Sequence, residues 1–259
     1  MNTPNINNKV WLIGGTSDSV AIAKILTANN ISFVVSVTTP TAQALYTEDT
    51  QIFVGCMNLE KMQFFCREKD IKAIVDASHP YAVEVSQNAI AISTRLNIPY
   101  LRYERKDYRA LDLTNTNSAI LELNSFDALL SKDYLQGHKV LLAIGCKVLD
   151  RFKSWQTRAT LYARVLPKIK SLTTALDAGF TSDRLIAIRP PLDIALERAL
   201  WQQWNISLVV TKASGKAGGE DIKRQLATEL NIPLIIIKRP KIIYPQQTTD
   251  VREVVTFCQ

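Results

Sequence analysis

Short apolar runs and helix-period stretches alternate along nearly the whole chain, and no other feature limits the fold as strongly. Runs at 9–13, 31–37, 51–54, 73–76 and 99–102 read as strands, with helical patterns at 18–29, 59–69 and 82–96 between them. In the last helix Val85, Ala89, Ile92 and Leu96 recur at the spacing of one buried face. A second set follows, with strands at 139–144, 160–165, 185–188, 208–211 and 234–237 and helices at 172–178, 192–204, 219–230 and 249–257. Strand–helix alternation produces parallel sheets covered on both faces. The expected fold class is therefore α/β: two doubly wound, Rossmann-like parallel-sheet domains with a cleft between them. The expected division is 1–120 for a dinucleotide-binding half and 121–259 for a substrate half. No Pro/Gly/Ser linker marks the boundary at 115–130, so an element of one half completing the other's sheet stays open.

The chain has 259 residues, 47% hydrophobic and 21% charged, which is enough for two modest cores. No apolar run reaches the roughly 18 residues needed to span a bilayer. The opening MNTPNINNKV lacks a basic segment followed by an apolar one, so a cytoplasmic location is expected. Cys56, Cys66, Cys146 and Cys258 are scattered without CxxC spacing, so neither a disulfide framework nor a bound metal is expected. The net charge of +7 carries no basic tail and no interleaved aromatic motif. That argues against nucleic acid and for an acidic small ligand. A monomer or small homo-oligomer, without membrane attachment, is expected.

Three loops at strand ends carry the candidate chemistry, at the edge where open α/β sheets bind ligands. The first is Gly14-Gly15-Thr16-Ser17-Asp18, between a strand and a helix. Glycines allow a sharp turn and close approach, and the helix start offers N–H groups to a phosphate. Thr16 and Ser19 stand where the dinucleotide fingerprint has its later glycines, so a tight turn with Ser17 or Asp18 capping the helix is the alternative. The second strand ends Val35-Ser36-Val37-Thr38-Thr39 without a carboxylate for a ribose 2′-hydroxyl. That absence favours a 2′-phosphorylated nicotinamide cofactor, met by the hydroxyls of Ser36, Thr38 or Thr39.

The second loop is Asp76-Ala77-Ser78-His79-Pro80-Tyr81, with one of the chain's two histidines. His138 reads as a turn residue without a role. The third is Thr211-Lys212-Ala213-Ser214-Gly215-Lys216-Ala217-Gly218-Gly219, a Gly/Ser loop with two lysines at a helix start. It suits an anion but lacks the GxxxxGK[ST] pattern. Lys147, Arg164, Arg102, Arg105 and Arg189 also lie at or near strand ends and together would suit a ligand with several carboxylates. The halves echo each other, "AIVDAS" ending at Ser78 with "LVVTKAS" ending at Ser214, and each has a later Asn-Ile-Pro. So sparse an acid–base inventory is compatible with hydride transfer, where the cofactor supplies the reactive atom.

Several of these stretches, in this order, resemble the precorrin-6A reductase family of corrin-ring biosynthesis, including its cobalt-precorrin form. The resemblance rests on Gly14-Gly15-Thr16, "DASHPYAVEVSQNA" from Asp76, "IPYLRYER" from Ile98, Gly145 with Leu149 and Phe152, "RVLP" from Arg164, "TKASG" from Thr211 and "IPLIIIKRP" from Ile232. It implies a two-domain enzyme that uses NADPH to reduce one double bond of a macrocycle rich in acetate and propionate groups. On that basis Gly14, Gly15, Thr16, Ser17, Thr38, Thr39 and Ser78 are the expected cofactor residues and His79 the expected catalytic one. Lys147, Arg164, Lys212, Ser214, Gly215 and Lys216 are expected to meet the substrate. The alternatives are a non-catalytic binder of an anionic metabolite and a methyltransferase.

Overall fold

A computed structural model describes residues 9–105 and 120–259. The stretch 106–119, part of the expected junction, and the first eight residues lie outside the described residues. Packing divides the chain into two compact units, Met1–Lys106 with Pro240–Gln259, and Asp107–Arg239.

The first unit runs β1 (Lys9–Ile13), α1 (Ser17–Ala28), β2 (Phe33–Val37), α2 (Pro40–Gln43), β3 (Ile52–Val54), α3 (Leu59–Glu68), β4 (Ile71–Asp76), α4 (Val83–Leu96) and β5 (Tyr100–Tyr103). The second runs β6 (Ile120–Leu123), α5 (Phe126–Leu130), β7 (Lys139–Ala143), a 3-10 helix Cys146–Trp155, β8 (Thr160–Val165), α6 (Ile169–Asp177), β9 (Leu185–Ala187), α7 (Ile194–Gln203), β10 (Leu208–Lys212), α8 (Glu220–Leu230) and β11 (Leu234–Ile237). The chain then returns to the first unit as β12 (Gln247–Thr248) and α9 (Val251–Cys258).

Each sheet has six strands, ordered β12-β5-β4-β1-β2-β3 and β6-β11-β10-β7-β8-β9, and every pairing is parallel. Central strands are apolar throughout because both faces are covered. Val10, Leu12 and Val35 pack under α1 and α9, while Trp11, Ile13 and Ile74 pack under α3 and α4. The second sheet is sandwiched in the same way, with Val140, Leu142 and Val210 on one face and Leu141, Val209 and Ile236 on the other.

The two strand orders match place for place except at one edge, which is filled crosswise. β6 follows β5 in the chain yet pairs with β11, and β12 follows β11 yet pairs with β5. The division therefore differs from a single cut near residue 120. A parallel edge strand needs only an unpaired ladder beside it, and both sheets offer one. The sequence reading omitted β6, whose central Leu121 and Glu122 are exposed, and β12, which is two residues long.

The repeated Asn-Ile-Pro has a local cause. Asn97 and Asn231 end α4 and α8 in the left-handed conformation, at φ 52° in both. Ile98 and Ile232 then return N–H bonds to Ser93 O and Ala227 O at 2.9 Å, closing the helix end. The register corrects the echo by one residue. Ile74 pairs with Tyr100 three residues past Asn97, and Val209 with Leu234 three past Asn231. Ser78 thus answers Ala213, and His79 answers Ser214.

Candidate functional site

At the exit of β1 the chain turns through Gly14 and Gly15. Gly15 has φ 97°, a conformation side chains other than glycine rarely adopt. Gly14 is glycine for packing: a Cβ there would lie 2.3 Å from Tyr46 Oη. That hydroxyl accepts the Gly15 N–H at 2.9 Å and meets Ser19 Oγ at 2.7 Å. Thr16, not Ser17 or Asp18, caps α1. Its Oγ1 accepts the Ser19 N–H and donates to Ala77 O at 2.8 Å, so that hydroxyl is committed within the protein. Ser17 is exposed. The amides of Ser17 and Asp18 have no intrahelical partner by position in the first turn of α1. Arg105 reaches this turn from beyond β5 and pairs with Asp18 at 2.6 Å, so a cation stands beside it that sequence order did not reveal.

At the end of β2, Thr38 is exposed, whereas Thr39 caps α2 by accepting the Ala42 N–H. Ser36 is buried and accepts the Trp11 Nε1–H at 2.8 Å, which takes it away from any ligand.

The ends of β4 and β5 hold a buried polar cluster. Asp76 Oδ1 accepts from Arg102 Nη1 at 2.8 Å and from the Ser78 N–H at 2.9 Å. Its Oδ2 accepts from Ser86 Oγ at 2.6 Å and Tyr100 Oη at 2.7 Å. Arg102 also donates to Glu104 Oε2, to Ser78 Oγ at 3.0 Å and to Ser78 O at 3.0 Å. Tyr244, from the returning segment, stacks on Tyr100 and lies 5.4 Å under the Arg102 guanidinium. Burial, then the Asp76 charge, pushes the Tyr100 phenol above its ordinary range. Burial opposes charge on Arg102, but the Asp76 and Glu104 carboxylates more than offset it and hold the guanidinium charged. Arg102 and Ser78 are thus joined in a buried internal network. The nitrogen, oxygen and hydroxyl of Ser78 are all tied down, and His79 follows immediately, exposed. His79 Nδ1 accepts the Tyr81 N–H at 3.2 Å.

In the second unit the carboxyl ends of β7, β8 and β10 carry the remaining candidates. Lys147 is exposed at the start of the 3-10 helix that follows β7. Lys212 ends β10, half-buried, with its ammonium 5.9 Å from the centre of the Phe126 ring. Burial, then the nearby Lys147 charge, lowers its pKa to about 8, opposed by Cys146. Arg164 lies in β8, buried, and pairs with the buried Glu197, which also accepts from Trp201 Nε1 at 3.0 Å. Arg164 is therefore a core ion pair rather than an open cation.

The 213–219 loop is held internally. Gly215, at φ 65°, donates its N–H to the buried Glu220 Oε2 at 2.8 Å. Gly218 leaves room for Ser214, whose Oγ would lie 1.9 Å from a Cβ there. Lys216 and Ala217 are exposed at the loop's tip. Ser214, Gly215 and Lys216 share one loop that starts just past Lys212, and the Lys147 charge acts on Lys212. His138 bonds Ser207 Oγ at 3.0 Å through Nδ1. Among the described residues no helix is long and apolar enough to cross a membrane.

Residues 9–259 match the family described as precorrin-6x reductase CbiJ/CobK. The chain belongs to that reductase family. A protein named cobalt-precorrin-6A reductase from Synechocystis is 43% identical over 252 residues, covering 96% of this chain and 95% of the relative. One of the same name from Priestia megaterium is 33% identical over 250 residues, covering 95% and 96%. A solved structure titled CobK precorrin-6A reductase superposes with TM-score 0.76 at 19% identity, covering 96% of this chain and 95% of that one, which supports the two-sheet α/β fold. This member of the family is an oxidoreductase by that membership. Its Asp76–Arg102 cluster was missed as a unit from sequence, although "DASHPY" and "LRYER" contain its parts.

Proposed function

We propose that this protein reduces precorrin-6A, free or as its cobalt complex, to the corresponding 6B macrocycle with NADPH. The observation that carries the reading is the family match over residues 9–259, joined to end-to-end relatives named for that reaction. Reductase membership supports a nicotinamide cofactor, and the carboxylate-free end of β2 supports the 2′-phosphorylated form.

The residues present fit such a cofactor at the β1 exit. The glycine pair keeps the turn low, Ser17 is open to solvent, and the first-turn amides of α1 carry the positive end of the helix dipole. Gly14, Gly15, Thr16 and Ser17 would shape or contact the phosphate site, Thr16 through its cap alone. Thr38 and Thr39 would border the adenosine end. When bound, the cofactor supplies hydride. Ser78 holds its loop in place, and His79, as the imidazolium, is the proposed proton source for the second ring carbon. In the second unit Lys147, Lys212 and Lys216 would pair with substrate carboxylates, Ser214 would offer a polar contact, Gly215 would act by shaping the loop, and Arg164 would act only by supporting β8.

Incubating the protein with NADPH and precorrin-6A, with and without cobalt, tests the reading. Loss of NADPH absorbance together with a product two mass units heavier is expected. No oxidation with either form would overturn it.

A further inference from the structure

Beyond Lys216, the 213–219 loop contains a carbonyl arrangement that bears on anion binding. Loop carbonyls carry negative partial charge and repel a carboxylate unless internal donors take them up. Here Gly215 O accepts from the N–H groups of Gly218 and Glu220, and Lys216 O accepts from that of Gly219. Ala213 O accepts from Arg239 Nε at 3.0 Å, and Gly218 O and Gly219 O both accept from Lys223 Nζ at 2.9 Å. Lys223 stands one turn into α8 and is 1% exposed. From the same turn Glu220 grips the opposite end of the loop through Gly215 N–H, and Arg224 Nε secures Glu220 at 3.0 Å. Gly219 is glycine for its φ of 67°; a Cβ there would only touch Lys223 Nζ at 3.4 Å.

A lysine taken out of water is costly unless well paired, and an apolar side chain would fill the same space. Burial, with Arg164 adding to it, pushes the Lys223 ammonium down to about 7 against the pull of Glu197, Glu220 and Asp221. Such a group is retained where it specifies a conformation that packing alone does not.

We infer that Lys223 is a positioning residue: it holds the carbonyls of Gly218 and Gly219 away from an incoming carboxylate, so that the loop's tip presents Lys216 to the polycarboxylate substrate. This rests on the reading above that the loop meets the substrate. It assigns Lys223 no contact with the reacting atoms.

Lys223→Met in the full-length protein is the primary test, with steady-state kinetics in each substrate and thermal melting. The KM for precorrin-6A should rise about tenfold while the KM for NADPH stays within about twofold. If Lys223→Met does not fold, Glu220→Gln, which keeps volume and an acceptor for Gly215, should raise the same constant by a smaller factor. An unchanged precorrin-6A KM in a folded variant, or equal rises in both constants, overturns the inference. Lys216→Ala separates the two readings, because Lys216 is exposed and its removal leaves the fold intact. A raised precorrin-6A KM in Lys216→Ala beside an unchanged one in Lys223→Met sinks only the role of Lys223. No change in either Lys216→Ala or Lys212→Ala removes the loop from the substrate site.

Discussion

Arg102 and Asp76 form a 2.8 Å ion pair whose side chains are 1% and 0% exposed, and the pair closes around Ser78. Removing one member strands a charge in the core. Arg102→Met should therefore lower unfolding free energy by about 3–5 kcal/mol, read by urea denaturation. A loss under about 1 kcal/mol would mean that water replaces the guanidinium and that the cluster does not hold the loop.

The β1 turn gives a cofactor prediction. A Cβ at Gly15 meets only open space and Ala42 Cβ at 3.9 Å, so Gly15→Asp acts through its positive φ and its new charge. NADPH binding, followed by fluorescence titration, should be lost while the variant stays folded. Ordinary affinity would take the turn out of the cofactor site.

His79 follows the locked Ser78 and is exposed. His79→Gln should lower kcat by at least about tenfold with both KM values within about threefold, as loss of a proton donor does. A variant with wild-type kcat would assign the proton to water.

Lys212 gives a pH prediction. In the proposed role its charged form meets a substrate carboxylate, and its pKa is lowered to about 8. Accordingly kcat/KM for precorrin-6A should fall as pH rises through about 8, and Lys212→Arg should hold it level to higher pH. The effect on stability has the opposite sign. Between about 8 and the unfolded value near 10.4 the unfolded chain binds more protons, so folding gains with pH over that window relative to Lys212→Met. A kcat/KM profile identical in wild type and Lys212→Arg would show that Lys212 does not meet the substrate.

Gly218 gives a packing prediction with a built-in rescue. Gly218→Ala drives a methyl into Ser214, whose Oγ and Cβ lie 1.9 and 2.4 Å from it, so the variant should melt lower and bind substrate less well. Ser214→Gly in the same chain should restore the melting temperature. Failure to restore it would mean that the strain lies in the backbone at Gly218.

The alternation of apolar runs and helical stretches, the glycine turn after β1 and the Asn-Ile-Pro repeats were legible in the sequence, because each follows from neighbours a few residues apart. Periodicity decides which face is buried, and an asparagine ending a helix decides a left-handed cap. What the sequence could not disclose was which polar side chains the protein uses up internally. Ser36, Ser78, Arg102 and Arg164 looked available at strand ends, yet their partners lie 24 to 33 residues away. Arg224 and Glu122, which steady the loop-holding turn of α8, are 102 residues apart. The crosswise exchange of β6 and β12 was equally hidden, since two parallel sheet edges present the same row of N–H and C=O groups to any short strand. Local propensity writes the elements; which donor meets which acceptor, and which edge takes which strand, is settled only when distant segments compete for the same partners in three dimensions.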